Sequence, residues 1–462
     1  MQASLAQLIA YMPGARMTRN AEFTGVSTDS RTLAPGQLFV ALRGEQFDGH
    51  AFLPTIAQQG GAVAVVAEQL PQGWTGPAII VPNTLTALGH IGNYWRRHFQ
   101  IPVIGVTGSN GKTTVKEMIA AILAAAFGEN ERLATRGNLN NEIGVPLTLM
   151  RLNGDHQAAV IEMGMNHPGE IARLAAIAAP TVAMVNNAQR EHQEFMHTVE
   201  AVARENGAVL AALPLDGTAV FPADDVYTPL WAQLAGSRRT ITFGLNDAAA
   251  VSCIYKMDAF GSALEVTARI DGASTQLKIA LAAAGLHNVR NALAAIACAL
   301  AAGIDQGAIV AGLEAFAPVS GRLQKKQGVH GATVIDDSYN ANPDSVRAAI
   351  DVLAQATAPR ILVLGDMGEV GTQGPQFHQE IAHYADAAGI EHVLVTGELA
   401  GHMAGIGKTQ HFVQFDELLA ALVSALGSKS DATVLVKGSR FMKMERVVQH
   451  LTGTQSPGKE AH

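Results

Sequence analysis

The chain has 462 residues, which is too long for a single hydrophobic core and predicts about three domains. A hydrophobic content of 48% with 16% charged residues is typical of a soluble globular protein, and the net charge of −8 argues against a general nucleic-acid-binding surface. Two cysteines, Cys253 and Cys298, exclude a disulfide framework and lack the spacing of metal ligands, so we expect a cytoplasmic protein without membrane insertion.

The first hundred residues alternate short apolar runs with turn residues, which predicts a small mixed α/β domain. A turn at Pro82-Asn83 marks its expected end. The predicted organisation is a domain at 1–82, a central domain with a parallel sheet at 83–317, a Rossmann-like parallel-sheet domain at 318–452, and a disordered tail at 453–462.

The phosphate loop (residues 107–114) is the strongest functional signal in the chain. It reads Thr-Gly-Ser-Asn-Gly-Lys-Thr-Thr, follows the apolar run 101–104 and precedes a helical pattern. Strand, glycine loop and helix are the context in which backbone N–H groups bind phosphate. In this context Lys112 reaches the β- and γ-phosphates, and the Thr113 hydroxyl holds Mg²⁺. The alternative is an ordinary turn between strand and helix with an exposed lysine, because the strict eight-residue spacing is not met.

An asparagine-rich segment follows at 135–144, where Asn138, Asn140 and Asn141 stand close together. Asparagines of this kind either form turns or contact a substrate, and the residues alone leave both interpretations open.

Two side chains beyond predicted strands are candidate metal ligands. Glu162 closes the apolar strand 158–164, and the carboxyl edge of a parallel sheet is where ligands bind. His192 lies beyond the strand 181–185. The alternative for Glu162 is a structural carboxylate that pairs with a lysine or caps a helix, and the alternative for His192 is a surface histidine.

Asn288 and Asn291 open an alanine-rich helix and lie on one face of it. They either cap the helix or contact an adenine edge.

In the last domain, strands alternate with helices, and each strand ends in polar, glycine-containing residues at 336–343, 365–369, 396–397 and 437–440. Four such ends on one sheet edge predict a binding face.

In this order the motifs resemble the Mur ligase family, ATP-dependent amide-forming enzymes of peptidoglycan synthesis. The resemblance covers essentially the whole chain through residues 107–114, 287–292 and the region of Arg322. The segments 336–345 and 365–369 resemble the branch that adds D-alanyl-D-alanine to UDP-N-acetylmuramoyl-tripeptide. An Asp-Asn-Pro-Arg motif, expected in the ligase of the preceding step, is absent from the sequence.

The resemblance implies a set of roles at matching positions. ATP and Mg²⁺ are the implied cofactors, Lys112, Glu162 and His192 the catalytic residues, and Thr113, Glu162 and His192 the metal ligands. The implied ATP-binding residues are Thr107, Gly108, Ser109, Asn110, Gly111, Lys112, Thr113, Thr114, Asn288, Asn291, Arg322 and Asp337. The implied substrate-binding residues are Ser27, Asp29, Ser30 and Arg31 for the uridine nucleotide, Asn138, Asn140 and Asn141 for the muramoyl-peptide, and Tyr339, Asn340 and Asn342 for the dipeptide.

One departure from the family concerns the second metal ion. Several relatives hold it through a carbamylated lysine on the helix after the metal-binding histidine, but this chain has Arg204 and Asn206 there and no lysine between 116 and 256. We therefore expect Glu162, His192 and water to hold that ion, with Glu194 or Glu205 as further candidates.

Other function classes remain open at this point. A sister ligase with a different amine acceptor is the nearest rival, and a nucleotide switch or ATP-binding scaffold is the rival from another class. The sequence contains neither the Asn-Lys-x-Asp string of guanine switches nor the Leu-Ser-Gly-Gly-Gln string of transporter ATPases. The last residue of the tripeptide, diaminopimelate or lysine, is not determined, and a monomer is expected.

Overall fold

The computed structural model describes residues 1–44, 47–427 and 431–453. The tail predicted to be disordered lies outside the described residues from 454 onward. Within the described ranges, no helix combines the length and apolar character needed to cross a membrane.

The N-terminal part is a small α/β unit built on a five-stranded sheet of order β2-β7-β6-β5-β4. Its outermost pair β2–β7 is antiparallel and the other pairs are parallel, while β1 and β3 form a separate antiparallel pair. The strands are β1 Gln2–Ser4, β2 Arg16–Met17, β3 Glu22–Thr24, β4 Val26–Ser27, β5 Gln37–Val40, β6 Ala62–Ala67 and β7 Ala78–Ile80. The helices are α1 Leu5–Ile9, α2 Leu53–Gln59 and α3 Thr84–Arg96.

The central part is a nine-stranded sheet of order β16-β15-β14-β13-β12-β11-β8-β10-β9. Its strands are β8 Val103–Thr107, β9 Arg132–Ala134, β10 Ala158–Glu162, β11 Val182–Val185, β12 Thr218–Pro222, β13 Arg239–Phe243, β14 Val251–Met257, β15 Ser262–Ile270 and β16 Ala273–Leu281. Its helices are α4 Lys112–Phe127, α5 Gly144–Leu149, α6 Glu170–Ala178, α7 Gln193–Met196, α8 Val199–Ala211, α9 Thr228–Ala235, α10 Leu286–Ala301 and α11 Gln306–Ala315.

The predicted parallel sheet is present from β9 to β14, but β14, β15 and β16 pair antiparallel, so the whole sheet is mixed. These last strands alternate buried and exposed side chains, as in 262–270. That alternation is typical of an antiparallel sheet with one solvated face, whereas all five residues of β8 are buried.

Burial of both faces explains why the central strands read as continuous apolar runs. In β10, Ala158 and Val160 join the core on one side of the sheet, whereas Ala159 and Ile161 join the core on the other. The alanine-rich helix α10 packs in the first of these cores with α4. The chain order reverses at β8, which pairs with β10 on one side and β11 on the other. Such a reversal opens a crevice at the carboxyl ends of the strands, where ligands bind in open α/β sheets.

The C-terminal part carries a six-stranded sheet of order β17-β18-β22-β19-β20-β21 with one antiparallel edge, β17. Its strands are β17 Gln324–Gln327, β18 Thr333–Asp337, β19 Arg360–Leu364, β20 His392–Thr396, β21 Thr409–Phe412 and β22 Thr433–Lys437. Its helices are α12 Pro343–Ala354, α13 Gly374–Ala387, α14 Phe415–Leu426 and α15 Glu445–Thr452. Short 3₁₀ turns lie at Gly49–Phe52, Val329–Gly331, Gly371–Gln373, Leu399–Met403 and Arg440–Met442.

Candidate functional site

The phosphate loop runs from the end of β8 to the first turn of α4. Gly108 has φ +132° and Gly111 φ +82°, conformations that residues with a side chain rarely adopt. A Cβ at Gly111 would lie 2.5 Å from Asn291 Oδ1, and one at Gly108 would lie 2.9 Å from Asn186 Cβ. The two glycines are therefore required by backbone conformation and by close packing together.

Polar groups behind the loop hold its backbone in place. The buried Thr107 hydroxyl lies 3.2 Å from the backbone oxygens of Met184 and Asn206, and the Gly108 N–H donates to Asn206 Oδ1 at 3.1 Å. The side chain of Asn187 both accepts from the Asn110 N–H and donates to the Asn110 oxygen, at 2.9 Å each. These bonds preorganise the loop before a nucleotide arrives.

Lys112 folds back over the loop that precedes it. Its Nζ donates to the backbone oxygens of Gly108 at 2.5 Å and Ser109 at 3.0 Å, and it lies 3.3 Å from Glu191 Oε2. The Lys112 and Glu191 side chains are only 16% and 8% exposed, so water screens their attraction weakly. The ammonium therefore lies at the mouth of the loop, where an anion would replace Glu191 as its partner.

Glu162, at the end of β10, is 2% exposed and meets two predicted site residues. Its Oε1 accepts from Thr113 Oγ1 at 3.2 Å and from Asn140 Nδ2 at 2.8 Å. Its backbone N–H donates to Thr135 Oγ1 at 3.0 Å. Among the described residues, buried Oε2 has no hydrogen-bond partner. An unpartnered buried carboxylate oxygen is costly unless a ligand completes it, which favours the functional interpretation of Glu162 over the structural one.

His192 begins the short helix α7 with a left-handed φ of +48°. Its Nδ1 lies 2.6 Å from Glu369 Oε2. His192 holds the pKa of Glu369 below its usual range. On the other side, Nε2 lies 3.9 Å from Glu191 Oε2. His192 thus lies at the boundary between the central and C-terminal parts, which we call the seam.

Asn288 and Asn291, in the first turns of α10, are buried and bonded in a chain of amides. Asn291 Nδ2 donates to Asn288 Oδ1 at 3.0 Å, and Asn186 Nδ2 donates to Asn291 Oδ1 at 2.9 Å. Asn288 Nδ2 donates to the Ala284 oxygen at 2.8 Å. Through these bonds both side chains stabilise the phosphate loop, and both also line the cavity.

A buried ion pair lies at the carboxyl ends of two neighbouring strands of the C-terminal sheet. Lys437 Nζ lies 2.6 Å from Asp337 Oδ2 and 2.8 Å from the Asn340 oxygen. Burial raises the pKa of Asp337, an effect that Lys437 and Arg322 oppose. The Arg322 guanidinium stacks over the Tyr339 ring, 4.4 Å from its centroid. Cation and aromatic groups are thus fixed side by side on the predicted binding face.

Asn342 joins this face to the phosphate loop. Its Oδ1 accepts from the Ser345 N–H at 2.9 Å and so caps α12, while its Nδ2 donates to Asn110 Oδ1 at 2.9 Å. Asn110 Nδ2 returns a weaker bond to Asn342 Oδ1 at 3.3 Å. The dipeptide role predicted for Asn342 remains a prediction, and the structure adds a cap and an interdomain contact to it.

These elements enclose one cavity with a volume of about 970 Å³. Of the predicted site residues it is lined by Ser109, Asn110, Gly111, Lys112, Thr113, Thr114, Asn138, Asn140, Asn141, Glu162, His192, Asn288, Asn291, Arg322, Asp337, Tyr339, Asn340 and Asn342. Thr107 and Gly108 lie behind the lining and support it.

Four predicted substrate residues lie elsewhere. Ser27 ends β4 in the N-terminal sheet and Asp29, Ser30 and Arg31 follow it, outside the lining of this cavity. The Asp29 carboxylate pairs with Arg31 at 2.7 Å, which lowers the pKa of Asp29 to about 2. Both interpretations apply within the asparagine-rich segment. Asn141 Oδ1 accepts from the N–H of Gly144, the first residue of α5, at 2.9 Å, as a turn-forming asparagine does, whereas Asn140 contacts Glu162.

The structure corrects the expectation that Glu205 helps to hold the second metal ion, whereas that role stays a prediction for Glu194. Both Glu205 oxygens accept backbone N–H groups at the start of α6, from Gly169 and Ile171 at 2.8 Å each, so Glu205 is a structural residue. Arg204 pairs with Glu200 on the surface at 2.9 Å. Asn206 is buried and braces the phosphate loop. Exposed Glu194 contacts the C-terminal part through its backbone, which donates to the Glu369 oxygen at 3.3 Å.

The sequence assigned no individual role to three lining residues, Glu191, Glu369 and Lys437, although the last two lie in the strand ends predicted to form a binding face. Glu191 adjoins His192 in sequence, yet no local pattern shows that its carboxylate would meet a lysine 79 positions earlier. Lys437 was visible as a polar residue at a strand end, but its partner Asp337 is 100 positions away.

Family models match three consecutive stretches of the chain. They are the Mur ligase family catalytic domain at residues 22–95, the Mur ligase middle domain at 106–299, and the Mur ligase glutamate ligase domain at 321–440. The chain belongs to the Mur ligase family. The five-, nine- and six-stranded sheets with their helices therefore form the three-domain Mur ligase fold.

Mur ligases of one named kind match over nearly the full length. The UDP-N-acetylmuramoyl-tripeptide--D-alanyl-D-alanine ligase of Escherichia coli is 38% identical, covering 97% of this chain and 98% of the relative. The ligase of the same name from Bacillus subtilis is 34% identical over 92% of this chain and 93% of the relative.

Solved Mur ligase structures agree with the fold. A crystal structure of MurF from Acinetobacter baumannii superimposes with a TM-score of 0.90 at 33% identity, covering 97% of this chain and 98% of that one. MurF from Thermotoga maritima, solved in complex with ADP, gives a TM-score of 0.81 at 25% identity over 92% of this chain and 96% of that one.

Proposed function

We propose that this Mur ligase joins D-alanyl-D-alanine to UDP-N-acetylmuramoyl-tripeptide, using ATP and releasing ADP and phosphate. The product is the pentapeptide precursor of peptidoglycan. One observation carries the proposal: a phosphate loop and a face of polar strand ends from a second sheet line the same cavity, in a chain whose full-length relatives bear this name.

The reaction has two chemical steps. The terminal carboxylate of the tripeptide attacks the γ-phosphorus of ATP, so that ADP leaves and an acyl phosphate forms. The amino group of D-alanyl-D-alanine then attacks the acyl carbon and loses a proton, and phosphate leaves from the tetrahedral intermediate. Lys112 stabilises the charge that develops on the phosphate oxygens, because its ammonium already lies at the mouth of the loop.

Mg²⁺ fits the residues on one side of the cavity. Glu162 and Glu191 are each less than a tenth exposed, and in the described structure each retains one carboxylate oxygen without a partner. Thr113 and Glu162 would hold one Mg²⁺ ion, and Glu162 with His192 would hold a second; when bound, they would supply charge neutralisation on the phosphates. In the described part of the chain, no three acidic, histidine or cysteine side chains are grouped closely enough to hold a metal alone. Phosphate oxygens and water would therefore complete the coordination, as Mg²⁺ prefers.

The nucleotide side of the proposal assigns the remaining ATP contacts. Backbone N–H groups of the phosphate loop bind the phosphates, and Arg322 contributes a second cation. Asn288 and Asn291 lie near the adenine and Asp337 near the ribose. The support for these assignments is that the side chains of Arg322, Asn288, Asn291 and Asp337 all line the same cavity.

The residues that bind the muramoyl-peptide and the dipeptide come from three domains. Ser27, Asp29, Ser30 and Arg31 bind the uridine nucleotide, Asn138, Asn140 and Asn141 face the muramoyl-peptide, and Tyr339, Asn340 and Asn342 face the dipeptide. The corresponding domains are residues 1–82, 83–317 and 318–452. Since Ser27 to Arg31 lie outside the cavity, a substrate joining them to the phosphate loop must be long, as a UDP-muramoyl-peptide is. We further propose that one chain is sufficient for activity, as a monomer.

The decisive experiment is a phosphate-release assay with ATP and Mg²⁺ that offers muramoyl-tripeptides ending in diaminopimelate or lysine. Each is combined with D-alanyl-D-alanine, D-alanine or L-amino acids. Release that requires the tripeptide and D-alanyl-D-alanine supports the proposal. Release with another acceptor would identify a sister ligase, and release independent of any amine would identify a switch or scaffold.

A further inference from the structure

Arg190 forms ion pairs with two carboxylates across the boundary between the central and C-terminal parts. It lies on the loop between β11 and α7. Its guanidinium donates to Asp344 (Nη2–Oδ1 2.6 Å, Nε–Oδ2 3.2 Å) and to Glu380 (Nη1–Oε2 2.8 Å, Nη2–Oε1 3.1 Å). Its backbone N–H also donates to Asp344 Oδ2 at 2.9 Å. Both carboxylates belong to the C-terminal part, on α12 and α13.

The surroundings make this contact stronger than an ordinary surface ion pair. The side chains of Arg190, Asp344 and Glu380 are 22%, 23% and 33% exposed. The guanidinium carbon also lies 5.2 Å from the centroid of the Phe377 ring. Exposed single pairs contribute little to stability, whereas planar, bidentate and partly buried pairs fix geometry as well as adding energy.

The position of Arg190 links it to the chemistry on both sides of the seam. Asp344 stands two residues after Asn342, whose amide pairs with Asn110 of the phosphate loop. Arg190 itself stands two residues before His192, whose ring meets Glu369. A guanidinium that holds Asp344 therefore sets how closely α12 and its cap approach the phosphate loop.

We propose that Arg190 is a positioning residue that locks the C-terminal domain onto the central domain, in the orientation that brings Asn342 to Asn110. It acts through Asp344 and Glu380 and touches no reacting atom. The lock itself is independent of which amine the enzyme accepts, while its effect on dipeptide use rests on the proposed function.

Each domain should keep its own fold when the Arg190 contact is lost, because both carboxylates have other stabilising interactions. Glu380 retains Arg347, a partner in its own domain, at 3.0 Å. Asp344 lies in the first turn of α12, where the helix dipole stabilises a negative charge. Loss of the guanidinium therefore weakens the seam between domains more than either domain.

The test measures the distance between the domains without any substrate. Leu215, between α8 and β12, and Val413, after β21, are 79% and 78% exposed and suit paired spin labels on introduced cysteines. Native Cys253 and Cys298 are buried, and burial raises the pKa of Cys253 to about 11, so they label poorly. Distance distributions are recorded by pulsed electron paramagnetic resonance in the parent, Arg190→Gln and Arg190→Lys.

Arg347→Gln is the matched control, because it removes a Glu380 ion pair inside one domain. We expect Arg190→Gln to broaden or shift the interdomain distance, Arg190→Lys to do so partly, and Arg347→Gln to leave it unchanged. In kinetics, KM for the dipeptide should rise roughly tenfold in Arg190→Gln, with a smaller change for ATP. An unchanged distance distribution in folded Arg190→Gln would overturn the lock, and an altered distance with an unchanged dipeptide KM would overturn only its effect on dipeptide use. Failure of the proposed function is distinguishable, because the parent chain would then not use the dipeptide at all.

Discussion

Thr113 and Glu162 meet where α4 begins and β10 ends, with Thr113 Oγ1 3.2 Å from Glu162 Oε1. The hydroxyl of a phosphate loop and a carboxylate from the neighbouring strand are thus held together before any nucleotide binds. The second oxygen of Glu162 stays unpartnered among the described residues. This arrangement presents two oxygen donors, preorganised for Mg²⁺, next to the site expected for the γ-phosphate.

Lys112→Ala should lower turnover by about a hundredfold or more, because the β- and γ-oxygens would lose the ammonium that lies at the phosphate loop. Phosphate release measures the effect, and circular dichroism checks the fold. Lys278→Ala, at a side chain that is 84% exposed, is the matched control and should leave turnover unchanged. Near-normal turnover in Lys112→Ala would remove this residue from the phosphate site.

Asn342→Ala should weaken the use of D-alanyl-D-alanine at least roughly tenfold and the use of ATP far less, since a hydrogen bond to a charged group contributes about 1.5–3 kcal/mol. The measurement is KM for each substrate. Asn342→Ser keeps a side-chain cap on α12 and so separates the cap from the amide. Equal losses for both substrates would instead assign Asn342 to its contact with Asn110.

Glu191→Gln should raise the affinity for ATP in the absence of Mg²⁺ by roughly fivefold, because Lys112 loses a competing carboxylate at 3.3 Å. If Glu191 also faces the metal through its unpartnered Oε1, the Mg²⁺ concentration for half-maximal turnover should increase. Calorimetric titration with and without Mg²⁺ separates the two effects. Weaker binding of ATP under both conditions would contradict the competition between Glu191 and phosphate.

Removing bicarbonate should leave activity unchanged. The helix on which relatives carry a carbamylated lysine here presents Asn206, whose Oδ1 accepts from the Gly108 N–H at 3.1 Å. Two measurements check this directly: turnover in CO₂-free buffer, and a carbon-13 NMR spectrum recorded after adding carbon-13-labelled bicarbonate. Lost activity that returns with bicarbonate would reveal a carbamate and a metal site different from the one proposed.

Local patterns made much of this protein predictable from sequence. The glycines of residues 108–111 and the buried run of β8 identify a phosphate loop, because backbone conformation and burial are encoded over a few residues. The alternation of strands and helices after residue 332 likewise predicts the order of the C-terminal elements. Glu162 was found for the same reason, since a carboxylate ending an apolar strand must lie at a sheet edge.

Only the tertiary structure decided which of these ends face one another. Glu191 reaches Lys112 across 79 positions, Asn342 reaches Asn110 across 232, and Glu380 reaches Arg190 across 190. Such contacts depend on strand order and on how two domains are oriented, and spacing along the chain encodes neither. Glu205 illustrates the converse: its place near the predicted metal helix suggested a ligand, yet the packing of α8 against α6 directs it to the backbone N–H groups of Gly169 and Ile171. Sequence thus determined the chemical groups available, and packing determined which of them share the cavity.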